Sequence, residues 1–157
     1  MRDDGLPTVF LRFGLAAGFL SAVADRFGLW GPYGKPTVAW GDMTHFLPYV
    51  GKLNPWFPSA MIPAVGWAVT IAEIALGTLL LFGLQTRWAA RLSAWLLLAF
   101  AIAMTASKGV KTALDYSVFA AAGGALLLAT ARHYPWSVDQ ARKRELPTVD
   151  VRCEDQA

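Results

Sequence analysis

Apolar residues in this chain come in long blocks, and none of the blocks alternates with the period of two expected for a β-barrel strand. Four blocks stand out, at about residues 8–30, 61–84, 88–106 and 115–131. Each approaches the roughly 20 residues that a helix needs to cross a hydrocarbon core. The second, Met61–Leu84, reaches about 36 Å as a helix, enough to span with some tilt. A soluble bundle would need polar helix faces, and "SAWLLLAFAIAMTA" at 93–106 has almost none. The pattern predicts an all-α integral membrane protein. Residues 1–131 are expected to form a four-helix bundle with those four spans.

The connections differ in character. Residues 31–60 hold five prolines and six aromatic residues. Within them Met43, Phe46, Leu47 and Val50 recur at i, i+3, i+4 and i+7, one face of a helix. A short amphipathic helix is expected there, with Thr37 as a candidate cap and an interruption near Pro48. The loop is read either as a plain cap on the bundle or as a lid over a cavity on the non-cytoplasmic side. "GLQTRW" is a tight turn that makes the second and third spans antiparallel neighbours. Residues 132–157 are charged and proline-broken, and are expected to form a disordered cytoplasmic tail. "AVA" at 22–24 resembles a signal-peptide cleavage site, but "MRDD" is acidic where a basic region belongs and Arg12 interrupts the apolar run. The first helix is therefore expected to be retained.

Composition agrees with the pattern. The 157 residues are 55% hydrophobic and 16% charged, against about 25% charge in a soluble domain. The net charge of +3 comes from residues flanking the spans. Arg2, Arg12, Arg87, Arg91 and Arg132 fall on one side, followed by Arg142, Lys143 and Arg144. Arg26, Lys35, Lys52, Lys108 and Lys111 fall on the other. The positive-inside bias favours both termini in the cytoplasm of a bacterium, with the chain in its inner membrane. No basic patch is interleaved with aromatics in the way nucleic-acid binding requires.

Cysteine and histidine usage narrows the chemistry. Cys153 is the only cysteine, so the chain has neither an internal disulfide nor a CxxC redox pair. His45 and His133 are expected on opposite sides of the membrane, which argues against bis-histidine haem ligation within the bundle, and no metal-ligand spacing is present. No covalently bound cofactor and no metal are expected.

The polar residues inside the apolar blocks remain. Glu73 is the single acid in its block, and a charge at the bilayer centre costs about 2.5–3.5 kcal/mol on insertion scales, so it should face the protein interior. Gly66, Thr70, Glu73 and Gly77 form one small, polar helical stripe, which permits a close neighbour. Arg12 and Arg26 are the candidate partners on the first helix, projecting within about 40° of one another. Adjacent residues point about 100° apart, so Asp25 and Arg26 are not assumed to pair. Asp115 and Tyr116 begin the fourth block at the level of Arg26. Glu73, Arg26, Arg12, Thr70 and Tyr116 thus form the candidate intramembrane polar site, with no catalytic residue assigned. Two readings of Glu73 stand side by side: a packing anchor, or the lining of a ligand or proton site.

"FLRFGLAAGFLSAVADRFG", "AEIALGTLLLFGLQTRWAA" and "LDYSVFAAAGG" together resemble the DoxX family of small bacterial membrane proteins, as does the loop sequence "GKLNPWFP". The resemblance lies in the order and spacing of these stretches up to about residue 131. It implies a four-helix inner-membrane protein associated with membrane oxidoreductases, the family name deriving from a subunit of a thiosulfate:quinone oxidoreductase. The family's helix-one arginine corresponds to Arg12, its helix-two glutamate to Glu73 and its turn arginine to Arg87. The function expected from it is an accessory or quinone-interacting subunit, more a non-catalytic membrane component than a self-sufficient enzyme. The lipid bilayer, a quinone or small apolar ligand with a polar head, and a redox partner subunit are the expected partners, and a homo-oligomer is compatible. A small carrier or transporter, or a scaffold recruiting through the charged tail, is the alternative.

Overall fold

The computed structural model describes residues 5–145. It is all-helical among them: α1 Gly5–Arg26, α2 Met43–Leu53, a 3-10 turn at Ser59–Met61, α3 Ile62–Phe82, α4 Thr86–Lys108, α5 Val110–Asp115, α6 Val118–Thr130 and α7 Val138–Glu145. α1, the segment Ser59–Phe82 and α4 are each long and apolar enough to cross a membrane. α1 packs on α3, and α4 packs on α6. The core between them is built largely from small residues, with Ala16, Ala90, Ala94 and Ala125 fully buried around Phe19, Leu80 and Leu128. Large apolar side chains such as Phe10, Trp95, Ile102 and Leu127 point outward. That inversion, small inside and large outside, suits a bundle whose outer surface meets lipid.

The fourth apolar block is shorter than expected. Its helix begins at Val118, not at Asp115, and its 13 residues reach only about 20 Å. Ser117 adopts a left-handed backbone, φ 53°, which breaks the chain between α5 and α6. Asp115 stays in α5, where it pairs with Lys111 at 2.5 Å.

The α3–α4 turn follows from backbone geometry. Gly83 sits at φ +67°, Leu84 N–H reaches back to the Leu79 carbonyl at 2.9 Å, and α3 ends there. α4 begins without a cap of its own, because Gln85 offers no side-chain hydrogen bond. Asp139 supplies it from 53 residues downstream. Its carboxylate accepts from the Gln85 amide at 2.9 Å, the Thr86 amide at 2.7 Å and the Thr86 hydroxyl at 2.8 Å.

This contact corrects the expectation of a free tail from residue 132. The chain turns back after α6 and docks on the α3–α4 turn. Arg12, wholly buried, donates to the Pro135 carbonyl at 3.0 Å and the Trp136 carbonyl at 2.6 Å. Tyr134 donates to the Leu128 carbonyl at 3.1 Å. Gly83 lets the segment approach, since a side chain there would strike Ser137. The remainder of the expected tail, with Cys153, lies outside the described residues.

α2 forms where the apolar spacing predicts it, but it runs through Pro48 without the expected interruption. Its cap is Asp42 instead of Thr37, with the Asp42 carboxylate accepting from the His45 amide at 2.9 Å. That amide is the chief cause holding the Asp42 carboxyl below its usual range. A depressed native pKa means the cap's contribution is fully present above the unfolded value of about 3.9 and disappears as pH falls through the lower native value.

Two outcomes are expected from these contacts. Asp139→Ala should cost about 1 kcal/mol of stability, the worth of a helix cap, and expose residues 132–137 to protease. Thermal unfolding in nanodiscs and limited proteolysis measure both. Protection of the amides in the first turn of α2, measured against the intrinsic exchange rate at each pH, should fall below about pH 4, and in Asp42→Asn that protection should not change over the same window.

Candidate functional site

The stripe on α3 faces inward. Gly66, Thr70, Glu73 and Gly77 are all buried, at about 6, 12, 16 and 22 Å along the helix from Ile62. Each glycine admits a neighbour. A side chain at Gly66 would strike Leu47 of α2, and one at Gly77 would come within 2.9 Å of Leu20 of α1.

Between those two contacts lies the polar centre. Arg26, the last residue of α1, is 3% exposed and forms an ion pair with Glu73, also 3% exposed. The same guanidinium nitrogen, Nη1, donates to the Thr70 hydroxyl at 2.9 Å, and that hydroxyl donates to the Gly66 carbonyl one turn back at 2.8 Å. One side of the guanidinium is covered by aromatic rings. Its central carbon lies 3.9 Å from the centroid of Phe46 and 5.4 Å from that of Trp40. Desolvated cation–π contacts of this kind contribute about 2 kcal/mol. The guanidinium Nε is buried with no hydrogen-bond partner.

Asp25 has a different task from its neighbour. Its carboxylate accepts from the amides of Trp40 at 2.7 Å, Ala39 at 3.2 Å and Gly41 at 3.4 Å. Successive residues at the end of one helix thus diverge, Arg26 into the bundle and Asp25 into the loop. Gly41, at φ +71°, is required by this turn because a side chain there would strike the Tyr33 amide. With the loop fixed, α2 lies across α3, burying Phe46 and Val50 over Gly66. The first loop is thus folded over the ion pair, with Phe46 and Trp40 against it.

Of the five candidate polar residues, three come together: Arg26, Thr70 and Glu73. Arg12 sits at the opposite end of α1, bound to the Pro135–Trp136 carbonyls. Tyr116 caps α5, 72% exposed, and makes no contact with the ion pair. Asp25, Trp40 and Phe46 complete the site and were not among the candidates. The signal for Asp25 was present as an acid at the end of an apolar helix beside a glycine-rich loop. Its partners, three backbone amides, leave no mark in a sequence. Among the described residues no three His, Cys, Asp or Glu side chains gather at metal-binding distance.

The family model described as methylamine utilisation protein MauE matches residues 6–115, the stretch from α1 through α5 that contains the ion pair and its lid. No curated protein and no solved structure matches the chain.

Removing one charge of a buried pair leaves the other uncompensated. Glu73→Leu and Arg26→Met should each cost about 3–5 kcal/mol, while the two changes together should recover most of that loss. A double-mutant cycle on unfolding in mixed micelles checks it; additive losses would mean that the pair carries no coupling.

Proposed function

The chain belongs to the family of methylamine utilisation protein MauE, and we propose that it serves such a system as a membrane accessory protein and carries out no turnover of its own. One observation carries this reading. The acid of α3, Glu73, is paired with Arg26, whose guanidinium also donates to Thr70 and lies under Phe46 and Trp40, so it serves to fix the lid rather than to meet a substrate. Growth on methylamine should fail in the host when the chain is deleted. It should return with the wild-type chain, and also with the Arg26→Met, Glu73→Leu double variant that keeps the bundle closed. Unchanged growth after deletion would dismiss the accessory role; failure of a folded double variant would make the charges functional in themselves.

A second reading rests on the Arg26 Nε. A buried donor without a partner fits the carbonyl oxygen of a quinone-type ligand, held by Arg26 with Thr70 and Phe46 beside it. Such a ligand would supply two-electron, two-proton carriage to or from a redox partner subunit, while the chain only holds it. The DoxX-like order of Arg12, Glu73 and Arg87 supports the same association. Native mass spectrometry of protein extracted gently from its own membrane should then reveal a quinone that is lost in a folded Glu73→Gln variant. A ligand-free wild-type spectrum would remove this reading and leave the accessory role standing.

The arginine-rich side, with Arg87 and Arg91 at the start of α4, supports an inner-membrane protein whose termini face the cytoplasm. Cys153, the only cysteine, reports on it directly. A membrane-impermeant maleimide should label spheroplasts only after permeabilisation.

A further inference from the structure

The lid has a second face. Phe46 and Val50 of α2 turn down onto α3, which leaves Thr44, His45 and Lys52 on the outer faces of the same helix, with half-buried Tyr49 at their edge. Across from them stand Tyr33 and Trp40 of the preceding loop. A cavity of about 280 Å³ opens between the two walls.

Its walls are flat rings already held in place. The Tyr33 and His45 rings stack at 3.8 Å with only 12° between their planes. His45 is fixed by Asp42, whose Oδ1 lies 2.9 Å from both its backbone amide and its Nδ1. The Trp40 and Tyr49 rings lie 5.7 Å apart, tilted by 54°. Burial pushes the Tyr49 phenol up from its ordinary value, so it is a hydrogen-bond donor at neutral pH. The charge at the cavity is positive. Lys52 lines it, the Lys108 ammonium lies 4.3 Å from the Tyr49 ring, and neither lysine makes an ion pair among the described residues. The nearby carboxylate, Asp42, is engaged by His45.

Aromatic walls select a planar ring, and unpaired ammonium groups select an anion. We propose that this cavity is a binding site for a planar aromatic anion, its ring against Trp40 and Tyr33 and its acidic group at Lys52. The volume is at the lower end for ligand pockets and suits one or two fused rings. Trp40 is the wall shared with the ion pair, since its ring also covers Arg26 and its amide is held by Asp25. An occupant therefore bears directly on the cover of the buried pair and holds the lid shut. The proposal is independent of the accessory and quinone readings above.

The full chain in phosphatidylcholine nanodiscs, titrated with 2-naphthoate by calorimetry, tests it. One saturable site is expected, absent from empty nanodiscs. Lys52→Ala should weaken binding at least tenfold and Tyr33→Leu severalfold; both residues are exposed and outside the bundle core. 2-Naphthylmethylammonium should not compete, and bound naphthoate should slow amide exchange at residues 39–41. Uptake equal in empty nanodiscs, affinity unchanged in Lys52→Ala, or equal binding of the cation would each overturn the proposal. So would full displacement by phosphatidylglycerol, which would assign the lysines to a lipid phosphate.

Discussion

The ion pair between Arg26 and Glu73 sets the terms for one whole end of the molecule. Two charges withdrawn from water are costly, and their attraction offsets that cost only when their remaining hydrogen-bonding atoms and faces are also provided for. Here the provision is specific. Thr70 takes part of the guanidinium, Phe46 and Trp40 lie over it, and both aromatics reach it only because the first loop is folded down. The lid and the pair therefore support one another: the pair needs the cover, and the cover is held in place as well by Asp25 and by Phe46 and Val50 over Gly66. Lifting α2 would uncover apolar Phe46 and Val50 together with the pair.

The opposite end solves a similar problem with different chemistry. Arg12 is as deeply buried as Arg26 but is met by two carbonyl oxygens, with the negative charge of Asp139 favouring it electrostatically. Carbonyl dipoles come from backbone whose position is fixed by neighbouring turns, so this end is organised by chain path more than by side-chain pairing. Glycine at 83 is what makes that path available. Two arginines on one helix thus anchor two unrelated pieces of chain, one from the loop before α3 and one from the segment after α6.

Much of this was legible from residue types alone. Apolar block length announced the helices, and the i, i+4, i+7 spacing of Gly66, Thr70 and Glu73 announced which face of α3 is buried. The register of α2 was visible in Met43, Phe46, Leu47 and Val50. What escaped were contacts whose partner is backbone or lies far along the chain. Asp25 binds three amides that any residues would present. Asp139 caps a helix 53 positions earlier, from a stretch whose charge and prolines mimic a disordered tail. The break at Ser117, which shortens α6, has no glycine or proline to mark it. Local pattern records burial and periodicity; it records poorly which of several equivalent polar groups will meet.

The cap on α4 also bears on the order in which the molecule can be made. Synthesis proceeds from the N-terminus, so α3 and α4 enter the membrane as a hairpin well before Asp139 exists. During that interval the first amides of α4 and the guanidinium of Arg12 share one need, polar partners at the membrane surface, and only water and lipid headgroups are there to meet it. Residues 135–139 then meet both needs, the carbonyls of 135 and 136 at Arg12 and the carboxylate of Asp139 at the α4 amides. A bundle before docking of this segment therefore differs from one after it in the surface it shows at that end.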